Sequence, residues 1–235
     1  KSHIEILKEF NLADFENATK VAGSKNVYFK NELVLLEQAL IQYGLQKLIQ
    51  RGFQVMTTPE IVKNDLILGC GFNPRSSNDN QMFTIEGEDS SLIATSEATL
   101  MGLYANEVLE TSVKLPLKYA GLSHCYRREA GRGCFRKGLY RLHQFTKLEM
   151  FSYTEDSLSS SSSAQMEMIE IQKEIYEELG FKYRVLEMAT GEIGTSTYRK
   201  MDVEVWFPSL NDFGEVASCS NCTDFQSRRL MAQYW

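Results

Sequence analysis

No stretch of this chain approaches the ~18 consecutive apolar residues that a membrane-crossing helix needs, so no membrane partner is expected. The first dozen residues, KSHIEILKEFNL, lack the apolar core and small-residue cleavage site of a secretory signal. The expectation is a protein that is not secreted and works in the cytoplasm or in an organelle, mitochondrion or plastid. Cysteine is scarce and odd in number: Cys70, Cys125, Cys134, Cys219 and Cys222 are scattered, which suggests reduced thiols rather than a disulfide framework. The CSNC pair stands alone, whereas a structural zinc site wants four ligands, so Cys219 and Cys222 read as buried thiols. There is no P-loop, no G-x-G-x-x-G after a strand, no H-E-x-x-H and no G-x-S-x-G. There is no internal repeat and no linker that splits the chain. A net charge of −6 argues against general coating of nucleic acid but leaves room for a local basic site.

What is present is ordinary for a globular protein. At 235 residues, 43% apolar and 24% charged, the chain can bury a real core. Leu33, Leu36, Leu40 and Leu48 recur at helical spacing within Asn31–Gly52, with Asn31 placed to cap the start and Gly52 to end the helix. FQVMTTPEIV reads as a strand broken by Pro59. NPRSSNDNQ is a polar loop, and QMFTI and SLIAT are short strands around EGEDS. Thr95–Leu109 reads as a helix entered through a capping region. Two alternating stretches follow, LPLKYAGLSHCYRRE and LYRLHQFTKLEMFSYT. LSSSSSAQ (Leu158–Gln165) reads as a surface loop, and Ala164–Gly180 as an amphipathic helix. FKYRVLEMA, MDVEVWFP and FGEVASCS are further strands, and TDFQSRRLMAQYW a closing helix or strand. Strands of antiparallel type beside separate helices give an α+β fold class.

One short region concentrates positive charge in this acidic chain. YRREAGRGCFRKGLYR reads as two strands joined by a glycine-rich basic loop, Gly131–Gly138, with Arg132, Arg136 and Lys137 at its tip. Such a hairpin can hold a polyphosphate or an RNA end, or simply keep a sheet edge soluble. Its flanks are more informative. Arg127 and Glu129 lie two apart on a strand, hence on one face, and Phe145, Lys147 and Glu149 repeat the pattern on the partner strand. Carboxylates, a guanidinium and a ring on one sheet face would make a costly core and a sensible polar pocket floor. Thr95, Ser96 and Glu97 are a second candidate, with a helix cap as the plain reading. Glu215 and Ser218 are candidate metal or phosphate ligands. The acids of DVEVW either hold basic partners in the sheet or line the site. His143 reads as a residue that packs or hydrogen-bonds locally rather than one that ligates anything.

In this order, the motifs TSE, YRREAG…GLYRLHQFTKLEMF, ATGEIG…YRKMDVEVWFP and GEVASCSNCTDFQSRRL resemble the catalytic domain of the seryl-tRNA synthetases, in its bacterial and organellar form. This is a family of class II aminoacyl-tRNA synthetases. The resemblance covers nearly the whole chain and implies an antiparallel sheet flanked by helices. It implies activation of L-serine by ATP with Mg²⁺, then transfer of the seryl group to the 3′ end of tRNA(Ser). It implies that Arg127 bridges the serine carboxylate and the α-phosphate, Glu129 contacts the adenine or ribose side, and Phe145 stacks on adenine. Arg128 and the backbone at Leu142 complete that wall. Thr95, Ser96, Glu97 and Glu149 would hold serine, and Glu215, Val216, Ala217 and Ser218 would face ATP, with Glu215 and Ser218 as Mg²⁺ ligands. VMTTPE resembles the motif that builds the family's homodimer interface around Pro59. Departures are TSE for TAE and EVASCS for EISSCS. Residues 1–235 contain neither the family's N-terminal coiled-coil arm nor its C-terminal third motif, so this piece alone is expected to be inactive. The alternative is an armless paralogue that loads a carrier protein or acts only as a binding partner.

Overall fold

The computed structural model describes residues 1–72, 81–129 and 138–235. The tip of the basic loop and most of NPRSSNDNQ lie outside the described residues. The N-terminal elements are α1 (His3–Glu9), β1 (Ala13–Asp14), α2 (Phe15–Ala22) and β2 (Tyr28–Phe29). The long α3 (Glu32–Gln50) then leads into β3 (Gln54–Thr57), β4 (Ile61–Lys63) and α4 (Asn64–Gly69). After β5 (Phe83–Thr84) and β6 (Ser90–Leu92) come α5 (Glu97–Met101), β7 (Val108–Leu109), β8 (Leu117–Tyr126) and β9 (Gln144–Tyr153). The chain closes with α6 (Leu158–Glu178), β10 (Tyr183–Glu187), β11 (Arg199–Phe207), β12 (Asp212–Asn221), α7 (Phe225–Arg229) and β13 (Gln233–Tyr234).

Two three-stranded sheets carry the architecture. One has the order β3-β8-β9, with β3 parallel to β8 and β8 antiparallel to β9; the other, β10-β11-β12, is antiparallel throughout. Helix α6 lies against both. Its Ile171 packs with Ala120, Leu48 and Phe53, with Leu148 and Met150 alongside, while its Ile169 packs with Val203 and Cys219. Side chains alternate along a strand. The faces that carry Gly121, Ser123 and Cys125 of β8, and Phe145, Lys147 and Glu149 of β9, therefore point away from α6, as do Asp202 and Glu204 of β11. A shared helix on one side thus turns both polar faces to the other side. Ile169, Ile171, Val203 and Ala120 are all at or below 1% exposure, so at about 25 cal/mol per Å² this packing fixes which face is free.

Several sequence expectations need correction. Leu158–Gln165 is not a loop: α6 starts at Leu158, because Ser157 caps it by accepting from the Ser160 amide at 3.1 Å. Asn31 precedes α3 with φ 51° and makes no side-chain cap; its amide donates to the Asn11 carbonyl instead. Gly52, with φ 79°, does stand in the left-handed region just past the end of α3. The helix expected over Thr95–Leu109 is short, stopping at Met101 before a 3-10 turn and β7. Pro59 separates β3 from β4 as expected.

Candidate active site

The floor of the site is the β8–β9 pair. Gly121 lies opposite Glu149, Ser123 opposite Lys147 and Cys125 opposite Phe145. Small residues on β8 leave room for long ones on β9. At Gly121 a Cβ would come within 2.9 Å of Ser96 Oγ and 3.1 Å of Leu100 Cδ1 and Thr58 Cγ2, so glycine there lets α5 sit directly on the sheet.

Thr95, Ser96 and Glu97 form the start of α5 and close one side. Capping is not the main use of Thr95. Its hydroxyl meets the Glu97 amide only at 3.4 Å, whereas it donates to Glu149 Oε2 at 2.7 Å and accepts from Lys147 Nζ at 2.9 Å. Lys147 also forms an ion pair with Glu149 Oε2. Ser96 is fully buried, and its Oγ has no hydrogen-bond partner among the described residues. Glu97 is half-buried, and its Oε1 accepts from Gln226 Nε2 at 2.5 Å. Burial, and then the negative charge of Glu149, raises the Glu97 pKa above the ordinary carboxylate range. Burial pushes Glu149 up as well, but Lys147, Thr95 and Arg127 more than offset this and hold it low. Two carboxylates in one small pocket thus titrate apart. Sequence reasoning saw Lys147 on this face without a role and missed Gln226. The available signal for Gln226 was a lone amide at the start of a short amphipathic turn.

Arg127 stands just beyond β8. Its amide still donates to the His143 carbonyl at 2.9 Å, its Nε donates to the Ala94 carbonyl at 3.0 Å, and its guanidinium lies 5.1 Å from the Phe145 ring centre. Phe145 therefore carries a cation on its face. The expectation that Arg127 and Glu129 sit two apart on one strand needs correction. β8 ends at Tyr126, and Glu129 has φ 44°, so the backbone turns there. The Lys25 ammonium bonds the Glu129 carbonyl, and Arg141 lies 3.6 Å from its carboxylate. Arg128 points to solvent, with its amide on the Gln81 carbonyl, and the Leu142 side chain is 7% exposed. His143 makes the local bond expected of it, Nδ1 to the Arg127 carbonyl at 2.9 Å.

On the second sheet, Glu215 and Ser218 are three apart, which in a regular strand would send them to opposite faces. The register shifts at Val216: Glu204 is opposite Glu215, and Asp202 is opposite Ser218. This bulge brings Glu215 and Ser218 onto the face of Asp202 and Glu204. Val216 is 39% exposed, and Ala217 packs toward the core of α6. Lys200 pairs with Asp202 at 2.8 Å and lies 3.9 Å from Glu215, and Arg184 pairs with Glu204. Among the described residues no three His, Cys, Asp or Glu side chains converge as a metal site. Glu215 and Ser218 offer two oxygens on one face, a set that suits Mg²⁺ held mainly by phosphates and water.

Between the sheets, β9 and β12 each have one strand partner among the described residues, and a cavity of about 1420 Å³ is lined by both and by α6. Ser152 Oγ of β9 and the Oε1 atoms of Gln165 and Gln172 of α6 belong to residues lining it, and none of the three has a hydrogen-bond partner among the described residues.

Comparison with known proteins fits this geometry. The family model for the tRNA synthetase class II core domain (G, H, P, S and T) matches residues 82–235. Serine--tRNA ligase of Treponema denticola is 48% identical over 237 residues, covering 100% of this chain and 55% of that protein; the Borreliella afzelii enzyme is 44% identical over 238, with the same coverage. The chain thus spans about half the length of the curated relatives it matches. Among solved structures, seryl-tRNA synthetase of Pyrococcus horikoshii complexed with ATP superimposes with a TM-score of 0.92 at 38% identity, covering 100% of this chain and 52% of that one. Cytoplasmic Serine-tRNA ligase of Naegleria fowleri in complex with AMP gives 0.91 at 34%, covering 99% and 55%. A prolyl-tRNA synthetase of Giardia lamblia at 16% identity, with a TM-score of 0.82, shares the fold.

Proposed function

We propose a function from one established premise: the chain belongs to the family of class II tRNA synthetase core domains. It is the catalytic domain of a seryl-tRNA synthetase, which joins L-serine to ATP as seryl-adenylate and passes the seryl group to the 3′ end of tRNA(Ser). The observation that carries this reading is the Thr95–Lys147–Glu149 cluster beside Arg127 and Phe145, on one face of one sheet.

The chemistry needs positioning and charge neutralisation more than proton transfer. Thr95, Glu97 and Glu149 give a small pocket rich in acceptors, suited to an ammonium and a hydroxyl. Arg127 would leave the Phe145 ring to bridge the serine carboxylate and the α-phosphate, freeing that ring to stack on adenine. Glu129, Arg128 and the backbone at Leu142 would border the nucleotide. Glu215 and Ser218 would hold Mg²⁺, with Val216 and Ala217 between them. When bound, Mg²⁺ neutralises charge on the phosphates.

The cavity between β9 and β12 has the chemistry of a missing strand's seat: two edges free and three polar side-chain atoms without partners among the described residues. We assign it to the family's third motif, which residues 1–235 do not contain. The Arg of that motif would contact ATP opposite Phe145. A homodimer through the region around Pro59 is supported by Ile61, 57% exposed, and by Leu35, Leu36 and Leu40 on α3, at 70%, 55% and 46%. Serine, ATP and tRNA meet wherever translation runs, in cytoplasm, mitochondrion or plastid. No helix among the described residues is long and apolar enough to cross a membrane.

Serine-dependent ATP–pyrophosphate exchange by the full-length enzyme is the test. Exchange with serine and charging of tRNA(Ser) are expected, while residues 1–235 alone should give no turnover. Failure to exchange with any amino acid would sink the proposal, and exchange without tRNA charging would redirect it to another acceptor.

A further inference from the structure

The cluster that the proposed function gives to the serine ammonium is already filled by an ammonium. Lys147 Nζ donates to Thr95 Oγ1 at 2.9 Å and pairs with Glu149 Oε2, the same oxygen that takes the Thr95 proton at 2.7 Å. Thr95 Oγ1 has one proton, spent on Glu149, and its accepting side is spent on Lys147 and the distant Glu97 amide. The remaining carboxylate, Glu97, is held by Gln226. Thr95 Oγ1 and Glu149 Oε2, the acceptors that meet at this seat, are therefore in use. We propose that Lys147 is a built-in competitor for the substrate's amino group: its Nζ fills the ammonium seat of Thr95 and Glu149 in the free site, and serine binds by displacing it. This rests on the assignment of that seat to serine.

The surroundings allow the exchange. Lys147 lies opposite Ser123 on β8, so its stem runs over a small side chain, and 32% of the lysine side chain is exposed. Four rotatable bonds let it swing out without moving the sheet. Among the described residues Lys147 bonds Thr95 and pairs with Glu149, while nearby Arg127 is cationic and Glu97, whose Oε1 takes the Gln226 amide, attracts it through its charge alone. Filling the seat also has a physical reason. Glu149 is buried deep enough for burial to raise its pKa, and a buried carboxylate without a cation is costly. A lysine that leaves when a better-placed ammonium arrives keeps Glu149 charged in both states. A direct consequence concerns discrimination. An acid without the amino group, such as 3-hydroxypropionate, can enter while Lys147 stays, but it cannot replace the lysine.

The test uses the full-length enzyme and its Lys147→Met and Lys147→Gln variants. Removing the competitor should lower the serine KM in pyrophosphate exchange about tenfold, equivalent to about 1.4 kcal/mol, and raise the inhibition constant of 3-hydroxypropionate. A serine KM raised tenfold in either variant would make Lys147 a serine ligand and overturn the proposal. Wild-type enzyme gives a second readout that needs no variant. Acetylation of Lys147 by acetic anhydride, followed by mass spectrometry, should speed up severalfold when serine saturates the site; protection by serine would overturn the proposal. Absence of any serine-dependent exchange in wild type would overturn the assigned function, and this inference with it. Exchange in wild type together with protection of Lys147 would overturn this inference alone.

Discussion

Arg127→Ala separates the chemistry of the site from its architecture. Among the described residues this side chain makes one hydrogen bond, from Nε to the Ala94 carbonyl, and one cation–ring contact, with Phe145. A net contribution of about 0.5–1.5 kcal/mol for the first and about 0.5–1 kcal/mol for the second gives a stability loss of about 1–2.5 kcal/mol. A domain of this kind has about 5–15 kcal/mol in hand, so the variant stays folded. Its melting temperature should fall by about 2–10 °C, at about 2–4 °C per kcal/mol for a chain this long. Activity should fall much further. A guanidinium that meets charge growing on phosphorus acts as an oxyanion donor does, where one lost donor costs about 10²–10³ in kcat. Loss of the carboxylate contact comes on top of that, so exchange should drop below detection. Arg127→Lys keeps the charge but not the planar fork and should recover only a small part. The reasoning is refuted if Arg127→Ala exchanges within tenfold of wild type, or if its inactivity is matched by loss of the native circular dichroism spectrum.

Three further outcomes follow from the same geometry. The raised pKa of Glu97 means that the fold favours the neutral acid. The stability this gives is full below the unfolded carboxylate pKa and is lost as pH rises through the folded value. Glu97→Gln should therefore gain in urea midpoint over wild type as pH rises through that window, while losing serine activation; an advantage that does not change with pH refutes this. Gly121→Ala places a methyl 2.9 Å from Ser96 Oγ and 3.1 Å from Leu100, a residue with no exposure. It should destabilise by about 1–3 kcal/mol, and a melting temperature within 1 °C of wild type would show that α5 yields freely. Gln226→Leu removes the donor to Glu97 at 2.5 Å from a side chain only 5% exposed. The serine KM should rise while the ATP KM holds, and equal rises in both would make Gln226 a purely structural residue.

The strands were legible because their patterns were local. β10 falls within FKYRVLEMA, β11 starts two residues before MDVEVWFP, β12 runs one residue beyond FGEVASCS at each end, and β9 presents Phe145, Lys147 and Glu149 on one face as period two requires. LSSSSSAQ, Leu158–Gln165, misled for an equally local reason. A serine run carries little helix preference, so it reads as loop, whereas the cap at Ser157 and the packing of Ile169 and Ile171 far along the same helix decide the matter. The site was legible as a set of residues but not as a set of contacts. That Arg127 covers Phe145 depends on the chain leaving β8 at Tyr126 and turning at Glu129, which no pattern of apolar residues encodes. That Gln226 reaches Glu97 joins positions 129 residues apart.

The bulge at Val216 shows how much the site owes to one irregular residue. Without it, Glu215 and Ser218 would point to opposite faces, one toward α6 and one toward the pocket. Flattening the bulge with Val216 kept in regular pairing would move either Glu215 or Ser218 into the apolar layer with Ile169 and Val203, a position that costs a carboxylate several kcal/mol. The same logic governs the first sheet. Glu97 and Glu149 are tolerated there because Lys147, Gln226 and Thr95 serve them in the free protein, and Arg127 finds the Phe145 ring. In the proposed reaction each substrate charge takes over a place that a protein group has kept: serine's ammonium that of Lys147, its carboxylate that of the neutral Phe145 ring face against Arg127. Binding then exchanges partners for groups already withdrawn from water, so little new desolvation stands against it. That is how a pocket this rich in ionised side chains can remain folded while empty and still take up a small zwitterion.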